Sequence, residues 1–148
     1  ISLMVSIFGR SPHTPCWAQR APSIQLNIQE LATCRQYHLT PKVICLNNRF
    51  LGMVRQWQEL FYDKRYSHTY IKDSVDFVKL AEAYGHVGIR IDKPEEVRPA
   101  LEQAFAMKDR FVFMNFITDQ KENVFPMIPN GKGLSEMILA NEIGAEDL

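Results

Sequence analysis

Apolar residues recur along this chain in two rhythms that take turns. Ile24, Ile28 and Leu31 fall at i, i+4 and i+7, and Ala32 and Cys34 widen the stripe, which predicts an amphipathic helix from Ser23 to about Tyr37. Ser23 suits its N-cap, because the hydroxyl can accept from a free first-turn amide. After Pro41 the rhythm changes. Val43-Ile44-Cys45-Leu46 is an unbroken apolar run, which predicts a strand over 42–46 buried on both faces. Met53, Trp57 and Phe61 then stand four apart and predict a helix over about 51–62. Residues 63–73 are polar and aromatic without a period and read as a loop. A helix over 74–84 comes next, capped by Asp73 or Ser74, with Phe77, Leu80, Ala81 and Tyr84 on one face and Gly85 ending it.

Val87, Ile89 and Ile91 alternate as a strand. Asp92-Lys93-Pro94-Glu95 resembles a capping box and opens a helix to about Met107, with Val97, Leu101, Ala104 and Phe105 inward. Pro99 fits best if the helix proper begins near Glu96, which leaves the proline in the first turn. Phe111 to Ile117 is a second fully apolar strand. A loop with Pro126, Pro129, Asn130 and Gly131 leads to a short helix over about 133–140 and a frayed acidic tail. Strands alternating with helices predict the α/β class: a parallel sheet covered by helices on both faces. Residues 1–22 stand apart. Val5, Ile7 and Phe8 suit a short strand, but Pro12, Pro15 and Pro22 break up the residues after it, so 9–22 reads as irregular.

Composition narrows the partners. A chain of 148 residues supports one domain with a real core. Its 17 basic and 17 acidic residues cancel, which leaves no electrostatic footprint for nucleic acid or an anionic membrane. No apolar run approaches the roughly 18 residues that span a bilayer. Cys16, Cys34 and Cys45 form no C-x-x-C, which argues for a reducing compartment rather than a disulfide scaffold. The histidines at 13, 38, 68 and 86 lack the spacing of a metal site, and His68 reads as a surface or packing residue. Starting at Ile1 with no secretory pattern, the chain reads as a piece of something longer.

The chemistry concentrates at the strand-to-helix turn after Leu46. Asn47 and Asn48 carry amide oxygens, hard donors suited to Mg²⁺, and Gly52 allows close approach of backbone. In open α/β sheets ligands bind at such turns, beyond the carboxyl ends of the strands. The same two asparagines also suit a plain turn, since Asn tolerates left-handed backbone. A stripe such as Met53, Trp57 and Phe61 is more often core than the wall of a small-molecule pocket, but just past a ligand-type turn it could serve as either. Gly131-Lys132-Gly133 has the wrong spacing for a phosphate loop and reads as a turn.

Ser23-Ile24-Gln25-Leu26-Asn27-Ile28-Gln29-Glu30-Leu31, Leu46-Asn47-Asn48-Arg49-Phe50-Leu51-Gly52-Met53-Val54-Arg55-Gln56-Trp57-Gln58 and Arg65-Tyr66-Ser67-His68 together resemble the C-terminal domain of the acetolactate (acetohydroxyacid) synthase catalytic subunit. The likeness extends through Asp76-Phe77-Val78-Lys79-Leu80-Ala81-Glu82-Ala83-Tyr84-Gly85 and Gly131-Lys132-Gly133-Leu134-Ser135-Glu136-Met137. It implies a thiamine diphosphate enzyme that condenses two pyruvates, or pyruvate with 2-oxobutyrate, with loss of CO₂ in branched-chain amino acid biosynthesis. Other thiamine diphosphate-dependent 2-oxoacid decarboxylases or acetyltransferases, and a non-catalytic subunit-pairing fragment, are the alternatives. By the resemblance, the Asn48 side chain and the Phe50 carbonyl would bind Mg²⁺. Ser23, Gly52 and Met53 would contact the cofactor, and Met53, Val54, Trp57 and Phe61 would line the substrate and inhibitor pocket. It also implies FAD in a domain absent here, an activating glutamate on a partner subunit, and a homodimer or tetramer with a regulatory small subunit. The expected place is the cytoplasm, or a plastid in a plant.

The likeness stops abruptly before Ser23. Where the family carries Gly-Asp-Gly ahead of the asparagines, this chain has Arg20-Ala21-Pro22, so one metal ligand is missing. Residues 1–22 therefore read as an aberrant segment, such as a shifted reading frame would give. The strand that should deliver the motif is expected to be missing or disrupted, and the chain alone is expected to be inactive.

Overall fold

Four parallel strands organise the chain in the computed structural model, which describes residues 16–71 and 75–140. β1 (Cys16–Arg20), β2 (Lys42–Asn47), β3 (Val87–Ile91) and β4 (Val112–Ile117) lie in the order β1-β2-β4-β3. Lys42 is in register with both Cys16 and Val112, and Val112 in turn with Val87. The strand side chains alternate between two cores, as a pleated sheet demands. On one face Val43, Cys45 and Phe113 pack with Leu31 and Cys34 of α2 (Glu30–Gln36) and Phe77 and Ala81 of α4 (Phe77–Ala83). On the other, Ile91, Val112, Met114 and Phe116 pack with Ala100 and Ala104 of α5 (Pro94–Ala106). The expected covering on both faces is present. Gly88 lets α4 lie directly on β3, since a Cβ there would come within 2.9 Å of the Val78 backbone.

The chain divides into two compact units. One comprises Ile1–Arg49 with Lys72–Thr118 and contains the sheet. The other comprises Phe50–Ile71 with Asp119–Leu148 and contains α3 (Gly52–Phe61) and the short 3₁₀ turn Leu134–Glu136.

Several expectations change at their edges. The segment before β2 is not one helix but α1 (Ala21–Ile24), a 3₁₀ turn over Gln25–Asn27, and α2. Amides of Leu31 and Ala32 bond three residues back, to Ile28 and Gln29, so the junction is wound tighter than an α-helix. Ser23 consequently lies inside α1 rather than capping it, and Ala32 faces solvent. Asp73 and Ser74 lie outside the described residues. The cap of α4 is Asp76, whose carboxylate accepts from Val78 N at 3.1 Å and Lys79 N at 3.2 Å. In α5 Glu96, not Glu95, closes the box, accepting from the Asp92 and Lys93 amides. The helix thus starts at Pro94, and Pro99 sits in its second turn, where it leaves the Glu95 carbonyl without a helical partner. Phe105 is exposed and Ala100 takes the inward position.

The predicted helix over 133–140 is only the 3₁₀ turn Leu134–Glu136. Two glycines open it, and the chain then pairs Ile138 with Met127 through two backbone bonds of 2.8 and 3.0 Å. The largest correction is at the start. Cys16–Arg20 is an ordinary strand paired along its length with β2, so the amino-terminal strand is present and not irregular. Pro22 falls after it, in α1. The strand proposed around Val5 to Phe8 lies outside the described residues.

Candidate functional site

β2 is an inner strand, and its carboxyl end turns sharply at Asn47. Asn47 is buried, and its backbone carbonyl accepts from Thr118 N at 3.1 Å. Its side-chain oxygen accepts from Arg49 N at 3.1 Å, an Asx turn that fixes the reversal. The left-handed residue is Arg49, with φ of 59°, and neither asparagine takes that conformation. One of the two candidate amide oxygens is therefore committed to the turn. Asn48, next to it, is half-buried. Register puts Arg20 opposite Leu46, so Ala21 stands next at the carboxyl end of the neighbouring strand, with Ser23 half-buried two residues on. Ala21 has no side-chain oxygen.

In the other unit, Phe50 leads into α3. Its ring packs against Tyr70 at 4.9 Å, and Leu51 N donates to Thr69 O at 2.9 Å. Buried Thr69 donates through Oγ1 to Gln58 Oε1 at 2.9 Å, which ties the 66–70 loop to the helix. The inward side of α3 is polar. Arg55 and Gln56 are its buried residues. Arg55 pairs with Glu59 at 2.8 Å and lies 5.5 Å from both the Phe50 and Tyr66 ring centres. Asn123 donates to Glu59 at 2.9 Å, and Gln56 exchanges bonds of 2.9 and 3.0 Å with the Val124 backbone.

Met53, Val54 and Phe61 consequently point outward, 45%, 49% and 39% exposed, with Trp57 half-buried against Phe61 at 5.2 Å. Exposure excludes core packing for Met53 and Phe61. Gly52 opens the helix, half-buried. Sequence reasoning missed Arg55, Gln56, Glu59, Thr69 and Asn123 as the residues that set α3 in place. Only Arg55 and Glu59 carried a signal, the i,i+4 spacing of opposite charges. His68 is exposed, as a surface histidine should be.

The side-chain amide of Asn48 and the backbone carbonyl of Phe50 are both neutral oxygen groups. Among the described residues no three His, Cys, Asp or Glu side chains gather as a metal site. Cys45, behind the turn on β2, offers no nucleophile: burial pushes its thiol up to about 12.

A parallel sheet with a ligand-type turn at an inner strand's carboxyl end is the architecture of a cofactor-binding α/β domain. The profile of the family described as "Thiamine pyrophosphate enzyme, C-terminal TPP binding domain" matches residues 22–116, and the chain belongs to that family. Among curated proteins, it is 52% identical over 118 residues to the acetolactate synthase large subunit of Haemophilus influenzae, and 49% over 120 residues to the isozyme 3 large subunit of Escherichia coli. It is 44% identical over 117 residues to the mitochondrial acetolactate synthase of Schizosaccharomyces pombe. These alignments cover 79–80% of this chain and 17–21% of the relatives, so the chain spans about a fifth of their length. The fold is also that of a thiamine diphosphate-dependent 4-hydroxybenzoylformate decarboxylase from Rhodococcus jostii RHA1, with a TM-score of 0.66 and 24% identity over 73% of this chain and 20% of that one.

Proposed function

We propose that this chain is the C-terminal cofactor-binding domain of an acetolactate synthase large subunit, and that on its own it is inactive. The parent reaction condenses two pyruvates, or pyruvate with 2-oxobutyrate, with loss of CO₂. Bound thiamine diphosphate supplies the electron sink for that decarboxylation. Of this chain's residues, the Asn48 oxygen and the Phe50 carbonyl would hold Mg²⁺ on the diphosphate, and Ser23, Gly52 and Met53 would orient the cofactor. Met53, Val54, Trp57 and Phe61 would bind the second 2-oxoacid and keep water from it. FAD would sit in a domain outside these residues, and the assembly would be a homodimer or tetramer with a regulatory small subunit, in the cytoplasm or an organelle.

The observation that carries the reading is the Asn47-Asn48 turn at the carboxyl end of an inner parallel strand. A second reading, a non-catalytic chain, is favoured by one observation, the alanine at the end of β1.

Two chimaeras of the Haemophilus influenzae large subunit test this. In one, residues 23–148 replace the equivalent segment behind that protein's own upstream sequence; in the other, residues 1–148 are used. The first is expected to form acetolactate from pyruvate, and the second to be at least 100-fold slower. A folded first chimaera without activity would refute the acetolactate synthase assignment. Equal activity of the two would refute the role given to Ala21.

A further inference from the structure

The amino ends of the strands, about 20 Å from the Asn48 turn across a six-residue strand, carry a concave site. It is a cleft of about 380 Å³ lined by Arg35, His38, Thr40, His86, Asp109 and Arg110. That volume suits a small ligand. The His86 ring forms a fixed wall, stacked on Phe111 at 4.2 Å and bonded through Nε2 to Leu31 O at 2.8 Å. Arg35 lies flat across Gly85, its Nε and Cζ only 3.2 and 3.3 Å from where a Cβ would stand. Glycine there, in the left-handed conformation at φ of 76°, makes room for the guanidinium.

No close ion pair neutralises the charges in the cleft, although the Asp109 carboxylate acts on the Lys42 ammonium from beyond ion-pair distance. Among the described residues neither Arg35 nor Arg110 meets a carboxylate within ion-pair distance, and Asp109 meets no cation within it. Behind the wall is a third cation. Lys42 is fully buried, and its ammonium donates to the backbone carbonyls of Thr40, Met107 and Arg110. Two of those carbonyls belong to residues that line the cleft, and all three are neutral. Two arginines and a sealed ammonium thus face one carboxylate. Guanidinium groups recognise oxyanions through paired N–H donors, and the low-dielectric wall strengthens the attraction.

We propose that this cleft binds a small multivalent oxyanion, a phosphate or a dicarboxylate. It stands apart from the proposed cofactor turn and does not depend on that reading. The test uses the full 148-residue chain, titrated with inorganic phosphate and separately with succinate at constant ionic strength and followed by calorimetry and amide NMR. Saturable binding of at least one is expected, with shifts at Thr40, Gly85 and Arg110 but not at Asn48 or Gly52. The Arg35→Gln/Arg110→Gln double variant is expected to bind at least tenfold more weakly, and Arg98→Gln, on the exposed face of α5, to bind as the parent does. The anion that binds more tightly identifies the ligand chemistry. No saturable binding of either anion, shifts confined to the Asn48 turn, or affinity unchanged in a folded double variant would each overturn the proposal. If the double variant does not fold, the shift map of the parent chain decides alone.

Discussion

At the scale of single residues, Ala21 and Cys45 carry the sharpest consequences. The β1–β2 register brings Ala21 to the end of β1, where an Asp would add a charged oxygen to the two neutral ones proposed for Mg²⁺. Ala21→Asp is therefore expected to tighten thiamine diphosphate binding in the presence of Mg²⁺ at least tenfold by calorimetry, about 1.4 kcal/mol. An unchanged affinity would mean that the missing carboxylate is not what weakens the site. Cys45 is fully buried, and its thiol pKa is raised from 9.0 to about 12 by desolvation. The folded state holds its proton more tightly than the unfolded chain. The stabilisation is complete below pH 9.0 and is lost as pH rises towards about 12. Across that window the parent chain should lose up to about 1.4 kcal/mol per pH unit from this group. Cys45→Ala, less stable at pH 7 because of the cavity, should show a shallower alkaline decline in urea titrations; parallel declines would refute the assignment.

At the scale of elements, burial decides what an ion pair is worth. Arg55–Glu59 and Arg98–Glu102 share the i,i+4 spacing and nearly the same distance, 2.8 and 2.9 Å. The first pair has side chains 7% and 9% exposed, the second 89% and 65%. Removing Arg55 strands a buried carboxylate and frees the Phe50 and Tyr66 rings, so Arg55→Met is expected to cost about 3 kcal/mol. Arg98→Met should stay within about 0.5 kcal/mol. Comparable losses in chemical denaturation would contradict the buried network. This same helix marks the limit of what spacing reveals. Spacing tells which residues share a side of a helix, and Met53, Trp57 and Phe61 do share one. It does not tell which side is inward, because that depends on Asn123 and Val124, more than sixty residues away. The strands were easier. Residues 43–46, 87–91 and 112–117 are apolar or alternating because helices cover them, and a short-range pattern is enough to find them. β1 was missed because its five residues, Cys16-Trp17-Ala18-Gln19-Arg20, have no periodicity and are framed by prolines. Its strand state comes from pairing with β2, a long-range fact. Asn48 was legible as a ligand candidate, whereas the commitment of Asn47 to the turn required the geometry.

At the scale of the whole molecule, charge and exposed apolar surface act together. The chain carries 17 basic and 17 acidic residues and has a pI near 7.1, so at neutral pH no net repulsion keeps copies apart. Meanwhile α3 turns Met53, Val54 and Phe61 to solvent, with Tyr62 beside them at 54% exposure. Met53, Val54 and Phe61 point away from Arg55 and Glu59 on α3, so a charge placed at 54 or 61 leaves the buried network intact. Self-association should accordingly be strongest near pH 7 and weaken by pH 9, where the chain is net negative. A Val54→Glu/Phe61→Glu variant should lower it at pH 7 at least threefold by both routes, removing apolar area and adding two negative charges. Sedimentation velocity across protein concentration measures this directly. A Lys79→Glu/Lys108→Glu variant, which shifts the net charge by four at exposed sites off α3, separates the two causes. If it suppresses association as fully as the α3 variant, net charge alone is responsible. If the α3 variant associates like the parent chain, the outward face of the helix plays no part.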